Sequence, residues 1–184
     1  MLIHAGAGGV GHVAIQLAHL HGADVCTTVS SDEKAAFVRQ LGADYTILYR
    51  ENDFVQATLD WTNQQGVDLA FDTVGGETFA KTFPAVRVYG DLVTILEPAA
   101  STNWKIARNR NLRVSYELML TPMLQQIVAA QQHQAEILAQ CAQWFDQGRL
   151  KIHLNQIFPL EQAAIAHQLI ETGSTMGKIV LVTG

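Results

Sequence analysis

The sequence has little of what would place it in a specialised class. Only two cysteines occur in 184 residues, Cys26 and Cys141, far apart and in no C-x-x-C or Cys/His pattern. A disulfide scaffold and a structural zinc site therefore both lack a signal, and reduced thiols are expected. Charged residues make up only 16% of the chain, with 12 Lys and Arg against 17 Asp and Glu. A net charge of −5 with no basic cluster argues against a phosphate-backbone partner, so no nucleic acid is expected. No apolar run approaches the roughly 20 residues needed to span a bilayer, and the first residues read as a strand rather than a signal peptide. No membrane partner is expected either, and the chain reads as a soluble, cytoplasmic protein. With 48% hydrophobic residues it can close one ordinary core.

What is present is a glycine motif placed almost at the start. Gly6-Ala7-Gly8-Gly9-Val10-Gly11 is a G-x-G-x-x-G, preceded by Met1–His4, just long enough for a strand. Val13, Ile15, Leu17 and Ala18 follow at spacings that give a helix an apolar face. Strand, glycines and helix in this order make a dinucleotide site credible. Gly6 would permit the tight turn, Gly8 would let the main chain approach a pyrophosphate, and Gly11 would let the helix pack on its strand. The helix N-terminus would then supply N–H groups and dipole to the phosphates.

Strand and helix patterns alternate beyond this point with short connections, the habit of a parallel sheet covered on both faces. Strands are predicted at 24–29, 45–48, 69–73, 92–96 and 112–116, and helices near 33–41, 54–63 and 77–85. With the first strand this gives an α/β, doubly wound, Rossmann-type sheet of six strands, with its ligand crevice beyond the strands' carboxyl ends. Pro122 should then open a long Gln- and Ala-rich helix, 124–145, which Gly148 punctuates. An alternating segment 150–154, a helix near 160–171 and a closing strand 178–182 complete the chain. The expected division is a nucleotide-binding domain over 1–148 and a tail over 149–184.

The choice of dinucleotide depends on the end of the second strand, where an acid about 20 residues past the glycines would grip the ribose 2′-hydroxyl of NAD. Here the chain reads Ser30-Ser31-Asp32-Glu33-Lys34. If Ser30 ends the strand, its hydroxyl and Lys34 suit the phosphate of NADP; if Asp32 points inward, NAD is favoured. Asp32 also has an ordinary explanation, since Ser30 and Glu33 form an S-x-x-E capping box and acids are welcome in a first turn.

Several segments together resemble a known family: His4–Gly11, Ser30–Lys34, Leu41–Asp44, Asp72–Gly75 and Gly177–Leu181. Their joint order, from first residue to last, is similar to the zinc-independent quinone oxidoreductases of the medium-chain dehydrogenase/reductase superfamily. The resemblance implies NADP(H) as cofactor and direct hydride transfer to a small quinone or an activated double bond. It places Gly6, Gly8, Gly9, Val10 and Gly11 at the pyrophosphate. Ser30 falls where NAD-dependent relatives carry their ribose-binding acid, and Lys34 and Tyr49 fall beside the 2′-phosphate. Val74 falls close to the cofactor, and Ile95 and Leu96 fall along the nicotinamide, Leu96 standing where a glycine is commoner. The resemblance further implies that a GroES-like catalytic domain precedes this portion in family members and that the tail returns to complete it. A homodimer through the edge strand 112–116 is implied as well.

No catalytic acid or base is singled out. The seven histidines show no H-E-x-x-H or Cys/His metal pattern. A non-catalytic dinucleotide-binding or interaction module, and the cofactor portion of a zinc-dependent alcohol dehydrogenase, remain as alternative readings of the sequence.

Overall fold

The computed structural model describes residues 1–183. Its first half alternates strictly. Strand β1 (Leu2–Ile3) leads to helix α1 (Gly11–Leu20), β2 (Cys26–Val29) to α2 (Asp32–Gln40), and β3 (Tyr45–Leu48) to α3 (Phe54–Trp61). Then come β4 (Val67–Asp72), α4 (Gly76–Thr82), β5 (Val86–Thr94), α5 (Lys105–Asn109) and β6 (Arg113–Tyr116). The six strands pair in parallel in the order β3-β2-β1-β4-β5-β6, so the doubly wound Rossmann architecture expected from the sequence is the one found. The strand order reverses between β1 and β4, and a crevice opens there.

Successive side chains of a strand face opposite ways, and β1 divides the core accordingly. Leu2 packs with Cys26, Val67, Phe79, Phe83 and Leu92 beneath α3, α4 and α5, whereas Ile3 packs with Ile15, Val25, Val38 and Ala43 beneath α1 and α2. Two buried residues on a two-residue strand thus bind both helical layers to one sheet.

The remaining elements are α6 (Thr121–Leu124), α7 (Val128–Asp146), β7 (Leu154–Pro159), α8 (Ala163–Glu171) and β8 (Lys178–Val182). Strands β7 and β8 form their own two-stranded parallel sheet. It exposes Leu154, Ile157, Leu181 and Val182, and α7 buries none of its residues.

Several boundaries differ from those expected, each for a local reason. The long helix predicted over 124–145 is two helices, because Gln126 takes a left-handed φ of 55° that no α-helix can continue. The helix predicted to reach Ala85 ends at Thr82, and Phe83–Ala85 tightens into a 3₁₀ turn around Pro84. Residues 150–153 are not a strand. The ladder partner that Lys151 would need is the side-chain amide of Gln16, which accepts its N–H at 2.8 Å and donates to its carbonyl at 2.9 Å. The second strand starts at Cys26 rather than Asp24, since the Val25 N–H goes to the Asp44 carboxylate at 2.7 Å. Finally, β5 begins six residues earlier than predicted and ends at Thr94, leaving Ile95 and Leu96 in the turn beyond it.

Candidate functional site

The glycine turn wraps around a single carbonyl. Ala5 O accepts the Gly8 N–H at 2.9 Å, and a Cβ at Gly8 would stand 3.1 Å from the same oxygen. A Cβ at Gly11 would overlap Ala5 O, and one at Gly6 would overlap the Thr27 hydroxyl, so both glycines answer to close approach. The left-handed residue of the turn is Ala5, with φ 49°, rather than Gly6. Helix α1 starts at Gly11 behind Val10 with no side-chain cap, which leaves its terminus available to an anion.

The chain's end meets this turn. The Gly177 N–H donates to Ala7 O at 2.8 Å, and the Lys178 ammonium lies so near Gly9 that a Cβ there would be 2.8 Å from Nζ. Lys178 escaped the sequence reading because it is distant in the chain; the only signal was its place in the Gly177–Leu181 motif.

A second cationic corner lies beyond β2. The strand ends at Val29, so Ser30 is the first residue past it. The helix cap is Ser31 and not Ser30: its Oγ accepts the Lys34 N–H at 3.3 Å. In a Ser-Ser pair the second has the extended backbone that a cap requires, with φ −158° and ψ 162°. Asp32 sits exposed in the first turn, where its charge opposes the helix dipole. The Lys34 Nζ donates to Gly173 O at 3.1 Å. Burial, with Arg50 nearby, holds this ammonium below the usual lysine range, and Glu33 opposes the shift. Arg50, the neighbour of Tyr49, is a second cation that sequence reasoning missed.

Between these corners and α4 lies a cleft of about 860 Å³ at the switch point. It brings Tyr49 and Val74 to one space, with His4, Ala5 and Thr28 at its base; Ser30, Lys34, Ile95 and Leu96 lie outside its lining. Val74 is held by a buried carboxylate. Asp72 accepts the N–H of Val74 at 3.0 Å and that of Gly75 at 3.0 and 3.1 Å, while the Thr94 hydroxyl reaches its other oxygen at 3.0 Å. Gly75 supplies the positive φ of 71° that this turn requires. Asp72 so joins the turn carrying Val74 to the strand end from which Ile95 and Leu96 leave.

The sequence profile of a zinc-binding dehydrogenase domain matches residues 41–181. The chain belongs to the zinc-binding dehydrogenase family. The match begins downstream of the glycine turn, so the turn is independent support. A 2-haloacrylate reductase from a Burkholderia species is 33% identical over 99% of this chain and 55% of its own length. A quinone oxidoreductase from Pseudomonas aeruginosa is 31% identical over 99% of this chain and 56% of its own. Among solved structures, the quinone oxidoreductase of Pseudomonas syringae superposes with a TM-score of 0.84 at 30% identity, over 98% of this chain and 55% of that one. The Escherichia coli quinone oxidoreductase complexed with NADPH gives 0.81 at 27%, over 98% and 56%. The zinc-binding dehydrogenase chain described here thus spans about half the length of these relatives.

The described residues of this chain form no site for the metal in the family's name. Among the described residues, no group of three or more His, Cys, Asp or Glu side chains comes together that could hold a metal ion. Cys26 is buried, and burial pushes its thiol up to about 12, so it is no nucleophile. His12 is buried too, donating from Nδ1 to Gly8 O at 2.8 Å and accepting the His153 N–H at 3.3 Å. A dinucleotide fits better: the chain offers a turn that Cβ atoms would fill, an uncapped helix terminus and three cations, Lys34, Arg50 and Lys178, beside these features though outside the cleft's own lining. No helix of the described residues is long and apolar enough to cross a membrane.

Proposed function

We propose that the chain is the dinucleotide-binding portion of an NADPH-dependent oxidoreductase acting on a quinone or an α,β-unsaturated carbonyl. The observation that carries this reading is the pairing of a close-packed glycine turn with a cationic corner where an NAD-binding acid would otherwise stand. Gly6, Gly8, Gly9, Val10 and Gly11 would meet the pyrophosphate, aided by Lys178. Ser30, Lys34, Tyr49 and Arg50 would receive the 2′-phosphate, which a guanidinium and an ammonium suit better than a hydroxyl. Val74 and Tyr49 would wall the adenosine, and Ile95 and Leu96 would run along the nicotinamide. The bound cofactor supplies the hydride; the chain's task is to orient it and keep water away. The acceptor chemistry follows the relatives, whose names are quinone oxidoreductase and 2-haloacrylate reductase.

The same reading takes the tail from about Gly148 as the part that completes a catalytic domain lying outside this chain, in keeping with the exposed faces of β7 and β8. It takes the open edge of the sheet, β6, as a homodimer contact, since Tyr116, Leu118 and Met119 are exposed beside it. It places the protein in the cytoplasm, where both cysteines stay reduced. Fluorescence titration of the chain with NADPH and NADH tests the reading: tighter binding of NADPH is expected, and equal affinities or no binding would overturn it. Turnover of a quinone should then require a chain extended upstream.

A further inference from the structure

His4 lies at the base of the cleft, fully enclosed, and the cofactor contacts proposed above do not use it. Its hydrogen bonds run in one direction only. The Thr82 hydroxyl donates to Thr78 O at 2.8 Å, so its oxygen can only accept from His4 Nε2, 2.9 Å away. Nε2 therefore carries the proton, and Nδ1 presents a lone pair to the Thr28 hydroxyl at 3.2 Å. The oxygen of Thr28 in turn accepts the Ala5 N–H at 3.0 Å. The chain of bonds ends on the residue whose carbonyl the glycine turn encircles and whose left-handed backbone no side chain of its own can hold.

We infer that His4 is a positioning residue for the dinucleotide: through Thr28 it holds the Ala5 peptide in the orientation that directs the glycine turn, and through Thr82 it fixes that turn relative to α4. This rests on the dinucleotide reading above. Two features make the ring suited to the task. It sits immediately after β1, where the turn begins, and it reaches β2 on one side and α4 on the other, which no shorter side chain could do at once. The Phe54 ring closes over its edge at a centroid distance of 4.8 Å, so it has no room to rotate away.

The two arms can be separated by substitution. Asn at this position offers an acceptor close to where Nδ1 stands and keeps the Thr28 arm, Gln offers a donor near Nε2 and keeps the Thr82 arm, and Leu keeps neither. His4→Leu should raise the NADPH dissociation constant about tenfold, the size expected for losing a buried hydrogen bond. His4→Asn should recover most of that loss and His4→Gln little of it. Thr28→Val should match His4→Leu, and the double variant should be no worse than either, because both break one path. A purely structural role would instead give additive losses and no difference between Asn and Gln, which would overturn the inference. Nitrogen-15 NMR of the unliganded chain gives a second reading that does not depend on ligand or on the folding of a variant. It should show neutral His4 protonated at Nε2, and an Nδ1–H tautomer would also overturn it. Native protein that fails to bind NADPH while showing the expected tautomer would refute the dinucleotide reading and, with it, the positioning role.

Discussion

The ammonium of Lys178 and the main chain of Gly9 meet across nearly the whole sequence: a Cβ at Gly9 would lie 2.8 Å from the lysine nitrogen. The last strand therefore contributes a cation to a turn formed by the first residues. Because a pyrophosphate is common to both nicotinamide dinucleotides, Lys178→Ala should weaken NADPH and NADH alike. A charge-assisted hydrogen bond is worth about 1.5–3 kcal/mol, so a loss of roughly tenfold to a hundredfold is expected for each in parallel titrations. A loss confined to NADPH would assign Lys178 to the other corner.

Lys34 predicts the opposite pattern. Its nitrogen donates to Gly173 O, and burial with Arg50 nearby depresses its proton affinity, so under the proposed reading two cations would share one dianionic group. Lys34→Ala should weaken NADPH roughly tenfold to a hundredfold and leave NADH within a factor of about two. Arg50→Ala should act in the same direction. Equal losses for both dinucleotides would remove these residues from the 2′-phosphate.

Local features were legible in the sequence and distant juxtapositions were not. The glycine motif and the succession of six strands along the chain follow from short-range spacing, and the fold obeyed them. Lys178 and Arg50 could not be read as one site with Gly9 and Lys34, because the crossovers that unite them leave no periodic trace. Gln126 broke the predicted helix by taking a left-handed backbone, which nothing in its residue type announces. Ser30 and Ser31 offer the same side chain one position apart, and only the backbone angles choose the cap.

Tyr89 also holds a left-handed backbone, with φ 61°, inside β5, and its side chain is 60% exposed. The conformation costs a non-glycine residue about 1–2 kcal/mol, while glycine adds entropy of about 0.5–1 kcal/mol to the unfolded chain. Tyr89→Gly should therefore raise stability by up to about 1 kcal/mol, read as a rise of about 2–4 °C in thermal midpoint. A lower midpoint would show that the exposed ring does more than its burial indicates.

His4 gives the fold a defined response to acid. Burial lowers its pKa from 6.5 to about 4, with the Asp72 charge opposing the shift. The unfolded chain thus binds a proton at a higher pH than the folded one does. The stability that this group contributes is full above pH 6.5, falls as the pH drops towards 4, and falls no further below that. The difference amounts to about 3 kcal/mol over the window. Urea unfolding from pH 7 to pH 4 should show the decline, and His4→Asn, which cannot titrate there, should lessen it, the buried His12 supplying a remainder of the same sign. An unchanged pH dependence in that variant would assign the decline to other groups.

Gln16 decides whether the segment from Lys151 onward is held energetically to the six-stranded sheet. Its buried amide accepts the Lys151 N–H, donates to the Lys151 carbonyl at 2.9 Å and donates to His12 O at 2.8 Å, standing in for a neighbouring strand. Gln16→Leu has nearly the same volume but leaves the main-chain groups of Lys151 unpaired, at about 1–3 kcal/mol. Gln16→Glu keeps the acceptor and loses the donor, bringing a carboxylate towards a carbonyl in a buried place, and should be worse. Hydrogen exchange can localise the effect. The amides of Lys151 and His153 should lose protection first, followed by Gly177 and Lys178, which reach the turn through the His153 carbonyl at 2.8 Å and Ala7. Exchange that rises only at Lys151 would mean that the tail is docked by the glycine turn alone, and then Lys178 would stay over Gly9 without help from α1.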